Sequence, residues 1–588
     1  MTVDPRPTSD DDLDFTRASM ARWLSPRLLG QAALRVVISG VFGEYLDKRE
    51  VMAALPAGEP EDLSGQDEAW VDYVSDLGDG FDATYAMASL LAQPTLQLPF
   101  GDELAVTTPR GQLLVMGGDQ CYPTACASGY ENKVVGPYRA ARPAIDKSDE
   151  PSLYAIPGNH DWYDGLTSFL RVFCQGANIG RWRTRQARSY FAVQLPHRWW
   201  LWGIDVQFNT YVDDPQRRYF LERAAQLQPG DGVILCTATP AWVNCNRGDP
   251  ECYAVLDWFD RTMIQPTGAV AQVMLSGDSH HYVHYAEVDG PRHRITAGGG
   301  GAFLSATHGL PEHLTVPPVE SRARHKTEPR RYQLTARFPD RADSEKIATR
   351  AFILPWRNKG FVGLMGVVQA IVAMAVWTSL LSRGGIRDAS YPTLLSGLVR
   401  SLPAVLTTLL VWLMLVAFTK QSRRPAGIVV GTLHATVQLA LGVAVTYLGV
   451  HVLSGVSDRW LLTSVVAFDM IVGGLLASEV VAAYLYLADR FAGFNTNELF
   501  SSMSSGDRKN FLRLHIARDG SLTVFPVGLR DVPRRWQFAP LGAADDPWLV
   551  PEKPLQPMLI EAPVRIEHPV VPAPIPAQVV PPATQVSA

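Results

Sequence analysis

The chain has 588 residues and a formal net charge of −5, from 53 Lys and Arg residues against 58 Asp and Glu residues. This length exceeds one ordinary domain, and the slightly acidic balance argues against a nucleic-acid partner, because such binders normally carry a strong basic excess. Six cysteines are too few for a disulfide framework in a chain this long, so we expect reduced thiols.

The N-terminal region, residues 1–69, begins with MTVDPRPTSDDDLDF, an acidic stretch without the apolar core of a secretory signal. Residues Gly30–Leu46 are apolar at helical spacing but include Arg35 and Glu44. The pattern predicts an amphipathic helix that packs on the protein or lies on a membrane surface, rather than a membrane span.

Residues 70–310 alternate short apolar runs with polar, glycine-rich breaks, which is typical of an α/β domain whose sheets are covered by helices. Helices are predicted over Thr84–Ala92 and Gln216–Leu227. Strands are predicted over Trp70–Ser75, Leu113–Met116, Leu153–Ile156, Tyr190–Gln194, Trp199–Ile204, Val233–Thr237, Val270–Leu275 and His293–Ala297.

A basic linker, residues 311–358, leads into residues 359–488, where four long apolar segments follow one another. A helix needs about 20 apolar residues to cross the hydrocarbon core of a bilayer. The sequence therefore predicts four transmembrane helices, over Phe361–Leu381, Ser401–Thr419, Ala426–Gly455 and Trp460–Ala488. Lys and Arg crowd the approach to the first segment and the loop between the second and third, which predicts a multi-pass protein of the cell membrane with cytoplasmic soluble parts.

Two acidic residues, Asp469 and Glu479, fall inside the fourth predicted span, where a charge is costly in lipid. They indicate a proton or ion path, hydrogen bonds between helices, or a position closer to the membrane interface than these bounds place them. Hydrogen bonds or an interfacial position are the simpler interpretation and the one we favour.

The region after the spans, residues 489–550, contains a hairpin pattern over Phe511–Leu529, with a turn at Asp519-Gly520. We expect this hairpin to pack against the soluble domain. Residues 551–588 hold ten prolines and no apolar periodicity, so they are predicted to form a disordered tail.

Polar residues adjacent to glycine follow four of the predicted strands. Each of these segments alone is common turn chemistry, but together they can place carboxylates, an amide and imidazoles around one cleft. That combination is typical of a metal-bound phosphate site. The segments are VSDLGDG (Val74–Gly80), MGGDQCYP (Met116–Pro123), IPGNHDW (Ile156–Trp162) and LSGDSHH (Leu275–His281).

In this order the segments resemble the calcineurin-like metallophosphoesterases, whose blocks are Asp-x-His, Gly-Asp, Gly-Asn-His-(Asp/Glu), a lone His and Gly-His-x-His. The resemblance covers roughly residues 70–305, and the Gly-Asn-His-Asp block is its most specific element. It implies an α/β fold, a β-sandwich flanked by helices, here joined to a four-span membrane region. It also implies hydrolysis of phosphate esters at divalent cations that share a bridging carboxylate.

The resemblance assigns metal ligands position by position. Asp76 matches the aspartate of the first block, Asp119 the bridging carboxylate, Asn159 an amide ligand of the second metal, and His280 a ligand of the first metal. His160 would lie beside the phosphate as leaving-group acid or charge stabiliser, and Asp161 would orient its ring.

Three positions depart from the family pattern. Gly78 stands where the first block has a histidine, and the neighbouring Asp79 is a candidate substitute. Ala238 stands where the lone histidine is expected, and Asp278 replaces the first histidine of the last block. The ligand blocks are thus degenerate, and one or two ions are implied. Carboxylates in place of imidazoles favour Mn²⁺, Mg²⁺ or Fe over Zn²⁺.

Further residues are candidates for substrate binding. Backbone amides of Gly299 and Gly300, within the run Gly298–Gly301, can approach phosphate oxygens, although a tight structural turn fits the run equally well. His281 and His308 are additional imidazoles that can line the cleft. The substrate implied is a phosphate-containing small molecule or lipid.

Three functions fit these observations. The leading one is a membrane-anchored, metal-dependent hydrolase of phosphate ester or pyrophosphate bonds. The losses at Gly78 and Ala238 favour instead a catalytically weak phosphoesterase-fold sensor that signals through the spans. The acidic residues of the fourth span favour, last, a transporter gated by the soluble domain.

Overall fold

The computed structural model describes residues 6–30, 48–52, 58, 60–101, 104–143, 150–206, 211–380, 386–419, 425–540 and 546–568. The described part is a mixed α/β structure with two large sheets and a bundle of apolar helices. Apart from Gly30, the amphipathic helix predicted over Gly30–Leu46 lies outside the described residues.

The strands are numbered here in chain order. They are β1 Glu61–Asp62, β2 Ala69–Val74, β3 Thr95–Phe100, β4 Leu104–Pro109, β5 Leu113–Met116, β6 Ser152–Ala155, β7 Asn178–Ile179, β8 Trp182–Thr184, β9 Phe191–Gln194, β10 Trp199–Gly203, β11 Gly232–Thr237, β12 Val270–Ser276, β13 Tyr282–Glu287, β14 His293–Ala297, β15 His313–Val316, β16 Arg330–Phe338, β17 Lys509–Ile516, β18 Leu522–Leu529, β19 Trp536–Phe538, β20 Leu549–Pro551, β21 Pro557–Leu559 and β22 Val564–Ile566. The eight predicted strands are confirmed, and their ends shift by one residue at most.

Most of these strands belong to two sheets. Sheet 1 has the order β1-β9-β10-β11-β12-β14-β13-β16-β15, and sheet 2 has the order β21-β18-β17-β2-β5-β6-β8-β7, with β22 also paired to β18. Neighbours β2, β5 and β6 are parallel, as are β10, β11 and β12, so their carboxyl ends point the same way within each sheet. This arrangement brings the polar strand ends to a common edge.

The two sheets pack face to face. Apolar side chains of both fill the space between them, including Val71 and Val115 of sheet 2 and Leu201, Ile234 and Leu275 of sheet 1. Separate apolar clusters lie on the two outer faces, beneath helices. The covering helices are Phe81–Ala92, Gly136–Ala141 and Thr167–Phe173 on sheet 2, and Asp214–Ala224 and Ala254–Phe259 on sheet 1.

The C-terminal hairpin is an integral part of sheet 2. Strand β17 pairs with β18 on one side and with β2 on the other, where Leu512 lies opposite Tyr73. The buried guanidinium of Arg513 donates to Asp72 from Nε at 2.6 Å and from Nη2 at 3.0 Å. The hairpin therefore packs on the soluble domain as expected, through a full strand pairing and a buried ion pair.

Two predicted boundaries differ from the structure. Residues 311–358 are not only a linker, since β15 and β16 lie there and extend sheet 1, followed by the helix Arg341–Ala348. Part of the tail predicted to be disordered is structured, because β21 and β22 both pair with β18. The prolines there flank very short edge strands, where a missing N–H costs little.

Four helices are long and apolar enough to cross a membrane. They cover Lys359–Leu380, Leu402–Thr419, Ala426–Val452 and Asp458–Ala492, and an 18-residue segment of each has a mean hydropathy of 1.9 to 2.2. We call them spans one to four. Sheet 2 contains strands from before span one and after span four, so any membrane crossings of the chain between them must be even in number. Four crossings satisfy that condition.

Polar residues inside the helix bundle pair with one another. Asp469 is buried at a π-helical turn of span four, and its Oδ1 accepts a hydrogen bond of 3.1 Å from Thr446 Oγ1 in span three. Gln369 of span one donates to Gln438 of span three at 3.2 Å. Glu479 is half-buried. The contact of Asp469 with Thr446 is of the helix-to-helix kind favoured from the sequence.

Candidate functional site

The four polar segments that follow strand ends meet at one edge of the sandwich. Asp76 N, after β2, donates to Gly118 O at 3.0 Å, so the loops after β2 and β5 run side by side. Asp278 N, after β12, donates to Asp76 Oδ2 at 2.9 Å. His160 N, after β6, donates to Asp119 Oδ1 at 2.8 Å. Both sheets thus contribute to a single cluster.

Local backbone geometry explains why these residue types stand here. Asp76, Asp119 and Asp278 have left-handed backbones with φ of 60°, 51° and 64°, a conformation that Asp tolerates better than most residues. Neighbouring glycines leave room for the carboxylates. A Cβ added at Gly158 would lie 2.2 Å from Asp119 Oδ1, and one at Gly277 would lie 2.4 Å from Asp76 Oδ2.

The centre of the cluster is the hydroxyl of Tyr122. Its oxygen lies 2.6 Å from Asp76 Oδ1, 3.1 Å from Asp119 Oδ2 and 2.9 Å from His280 Nε2. His280 Nε2 is also 3.6 Å from Asp76 Oδ1. The three residues assigned to the first metal from the sequence therefore surround a fourth group that sequence reasoning missed. The available signal was the position of Tyr122, three residues after Asp119 in the same loop.

These separations match those between ligands of a single cation. Two ligand atoms that each lie about 2.1 Å from one small divalent ion, at right angles, are about 3.0 Å apart. The donor set, three oxygens and one nitrogen, suits Mn²⁺, Mg²⁺ or Fe better than Zn²⁺. Within the described residues, no group of three or more His, Cys, Asp or Glu side chains is arranged to hold a metal ion. A cation bound by Asp76, Asp119 and His280 would therefore need the phenol oxygen of Tyr122 as a further ligand.

The position assigned to a second metal is less complete. Asp119 Oδ1 already accepts from His160 N, and Asn159 begins the short helix Asn159–Trp162 beside it. Ala238 lies at the same edge, where its carbonyl accepts from Gly277 N at 3.0 Å, but its methyl group cannot bind a metal. Asp119, Asn159 and Asp278 are left as the candidate ligands there.

One carboxylate oxygen of Asp79 is engaged outside the cluster. Its Oδ1 accepts a hydrogen bond of 2.9 Å from Ala21 N in the N-terminal segment. Its Oδ2 is buried and has no hydrogen-bond partner among the described residues. Gly78 has no room for any side chain, because an added Cβ would lie 2.6 Å from Gln120 O. Asp79 therefore anchors the N-terminal segment through one oxygen, and its predicted role as a ligand stays a prediction.

The ring of His160 is oriented by a backbone carbonyl rather than by Asp161. His160 Nδ1 lies 2.6 Å from Pro123 O, which places a proton on Nδ1. The ring can then donate from Nε2 only in its charged form, and burial lowers its pKa. Asp161 instead accepts from Tyr130 Oη, Gly158 N and Gln120 N at 2.5 to 3.1 Å, which ties two site loops together.

Negative charge is crowded in this cluster. Burial raises the pKa of Asp119 to about 7 and that of Asp278 to about 7. Burial, followed by the charge of Asp119, raises the pKa of Asp76 well above its ordinary value. Several buried carboxylates cannot ionise together cheaply, and a divalent cation among them would remove that cost.

The glycine run serves packing. Gly300 N donates to Ser75 O at 2.8 Å, and Gly299 O accepts from Asn510 N at 3.1 Å. A Cβ at Gly299 would lie 2.1 Å from Asn510 Nδ2, and one at Gly300 would lie 2.4 Å from Ser75 O. The amide of Gly300 is thus engaged, and the structural alternative fits the run: backbones of β2 and β17 approach it closely.

The two additional histidines differ in their surroundings. His281 is buried, and burial beside Arg247 lowers its pKa to about 3, so it packs as a neutral ring. His308 Nδ1 lies 2.9 Å from Ser344 Oγ and its Nε2 lies 2.9 Å from Asp489 Oδ2. Since Asp489 belongs to span four, His308 joins the soluble domain to the membrane bundle and does not line the cleft.

A cover for the site was not foreseen from the sequence. It consists of residues Ala18–Trp23, which we call the N-terminal strap. Phe81 N donates to Ala18 O at 2.8 Å, beside the anchoring contact with Asp79. The ring of Trp23 lies edge-on to His160 and Tyr122, at centroid distances of 6.0 and 6.4 Å.

Comparison with known proteins yields neither a matching family model nor a matching curated protein.

Proposed function

We propose that this protein is a membrane-anchored, metal-dependent hydrolase of phosphate ester or pyrophosphate bonds, of the calcineurin-like type. The observation that carries the proposal is the convergence of Asp76, Asp119 and His280 on the hydroxyl of Tyr122. The surplus of buried carboxylates there supports a cation as the missing partner.

The residues of the cluster would have separate roles in metal binding and proton transfer. Asp76, Asp119, Tyr122 and His280 would hold a divalent cation, which supplies charge neutralisation for the phosphate and a water of lowered pKa. Asn159 and Asp278 would bind a second cation more weakly, because Ala238 contributes no ligand. His160, with Nδ1 fixed on Pro123 O, would donate a proton from Nε2 to the leaving oxygen when an anionic phosphate stabilises its charged form.

A second candidate function is a sensor that binds a phosphate ligand without turnover. The strap favours it, because Trp23 covers the cluster and the strap contacts the membrane end of the domain. A transporter is not favoured, since Asp469 pairs with Thr446 inside the bundle.

The test is metal content and hydrolysis by the full chain in detergent. The purified protein is loaded with Mn²⁺, its bound metal is quantified, and a panel of water-soluble phosphomonoesters, phosphodiesters and pyrophosphate is assayed. Tyr122→Phe should lower both metal affinity and kcat/KM by about ten- to hundredfold. The matched control is Tyr138→Phe, since Tyr138 is equally buried and its hydroxyl makes no hydrogen bond within the described structure.

Three outcomes separate the candidates. Metal binding with hydrolysis, both sensitive to Tyr122→Phe and insensitive to Tyr138→Phe, supports the enzyme. Metal binding without hydrolysis of any substrate supports the sensor. Activity and metal content unchanged by Tyr122→Phe would place the chemistry elsewhere and overturn the proposal.

A further inference from the structure

The site lies directly against the membrane end of the soluble domain. The ring of Phe303 contacts that of His280 edge-on, with centroids 4.4 Å apart. The next residue, Leu304, is fully buried in a cluster with Phe361 and Met365 of span one and Leu485 of span four. Phe303, which packs on the candidate ligand His280, is therefore followed directly by a residue that packs against the transmembrane bundle.

The cover of the site is fastened to the same end. Trp23 O accepts from Asn358 Nδ2 at 3.3 Å, immediately before span one begins. Ala21 O accepts from Ser504 Oγ at 3.0 Å, just after the helix that follows span four. The strap thus contacts both the cluster and the segments next to the ends of spans one and four, so the cluster lies close to the apolar helices.

This end of the molecule also carries an exposed aromatic and basic collar. We define the collar as Phe352, Trp356 and Phe491, which are 45%, 70% and 82% exposed, with four exposed basic residues among them. The basic residues are Arg350, Arg357, Lys359 and Arg490. Phe352 also packs on Tyr486 of span four, with centroids 6.1 Å apart. Aromatic rings at span ends sit at the headgroup level, and nearby cations attract anionic lipids.

From this juxtaposition we propose that the site acts on phosphate-bearing lipids of the leaflet that the collar contacts. This inference rests on the proposed function and names its substrate class. Water forms a new bond to phosphorus, the bond from phosphorus to the leaving oxygen breaks, and one proton of the water ends on that oxygen. The ester and water become an alcohol and a phosphate, or the pyrophosphate and water become two phosphates, with no oxidant or further reactant.

The test compares lipid and water-soluble forms of the same bond, using the full chain in mixed micelles with Mn²⁺. The lipid probes are long-chain phosphatidic acid, phosphatidylglycerol and a polyprenyl pyrophosphate. The soluble probes are p-nitrophenyl phosphate, bis-p-nitrophenyl phosphate and inorganic pyrophosphate. We expect one lipid to exceed its soluble counterpart in kcat/KM by at least about tenfold, and its rate to rise with its mole fraction in the micelle surface at constant bulk concentration.

Two variants test the collar. Trp356→Ala should lower the ratio of lipid to soluble hydrolysis at least about threefold. Leu221→Ala, an exposed apolar residue on the helix Asp214–Ala224, should leave the ratio unchanged. Hydrolysis of soluble probes with no lipid preference, or a ratio unmoved by Trp356→Ala, overturns the lipid assignment and leaves the proposed function standing. Hydrolysis of no probe overturns both.

Discussion

The strand-end cluster and the transmembrane bundle both bury acidic and amide side chains, but they arrange them differently. In the bundle, Asp469 accepts from Thr446 and Gln369 donates to Gln438, so polar groups meet pairwise across neighbouring spans. In the cluster, two carboxylates and an imidazole all turn toward one phenol oxygen. Pairwise contacts hold helices together, whereas two buried carboxylates beside one phenol are costly to ionise together.

The same strand offers a third case. Asp72 and Asp76 belong to β2 and the loop directly after it, yet Asp72 is matched by the buried guanidinium of Arg513. Asp76 has Asp119 and Asp278 as its acidic neighbours. Asp72 is thus neutralised by its own buried cation, whereas Asp76 has other carboxylates as neighbours, and this contrast supports the proposal of a cation site at that end of the strand.

The largest effect on activity is expected from removing one carboxylate charge at the centre of the strand-end cluster. Asp119→Asn keeps the shape of the side chain but replaces the carboxylate placed between the two candidate metal positions. We expect kcat/KM to fall about a thousandfold, because charge neutralisation of the phosphate is lost with the metal. Steady-state kinetics with metal quantification measure this, and retention of full activity would remove the cluster from the chemistry.

Metal binding should also stabilise the soluble domain. Mn²⁺ at 100 times its dissociation constant adds about 2.7 kcal/mol to the free energy of unfolding, since the ion binds the folded cluster only. Thermal unfolding of the detergent-solubilised chain should therefore shift upward with Mn²⁺. The same titration on Asp119→Asn serves as the control, and an equal shift there would show that the ion binds somewhere else.

The strap should limit access of water-soluble substrates. Trp23→Ala removes the ring that covers His160 and Tyr122, while the backbone of Ala21 and of residue 23 keeps its hydrogen bonds to Asp79 and Asn358. We expect kcat/KM for a bulky soluble phosphodiester to rise about threefold, because a closed cover is a barrier to entry. The comparison substrate is inorganic pyrophosphate, which should respond less; a loss of both activities would instead make Trp23 part of the binding site.

The smallest change in phosphate hydrolysis is expected from a substitution in the transmembrane bundle. Asp469→Asn is the matched partner of Asp119→Asn, and its amide can still accept from Thr446. Phosphate hydrolysis should change less than about twofold, since bundle hydrogen bonds are individually weak. Reconstituted liposomes assayed for ion flux provide the second readout. An ion flux that the unaltered protein shows and Asp469→Asn lacks would support the transporter. It would also contradict the contrast drawn between the bundle and the strand-end cluster.

Local patterns in the sequence predicted much of this structure. Apolar runs of four to seven residues located β2, β5, β6 and β12, and continuous apolarity located the spans. The identity of the residues at the strand ends was enough to place Asp76, Asp119 and His280 in one cluster. Each of these features depends on residues that are close in the sequence, because strand and span periodicity are short-range properties.

Features that depend on distant pairing were not predictable. Leu512 pairs with Tyr73 although the whole span region lies between them in the sequence, and no local pattern predicts that pairing. The role of Tyr122 depends on where its ring points, and that of Asp79 on an N-terminal strap with no polar motif. Likewise, Gly299 and Gly300 looked suited to phosphate, but neighbouring backbones fill the space beside them.

The placement of β17 has a consequence for biosynthesis. During synthesis β2 emerges long before its partner β17, and all four apolar helices are translated in between, so one edge of sheet 2 stays unpaired until they have been made. Arg513, the ion-pair partner of Asp72, is likewise synthesised only after them. A chain that stops within these helices would leave this edge and this charge exposed to proteases and chaperones. The soluble domain can therefore be completed only after all four apolar helices have been translated.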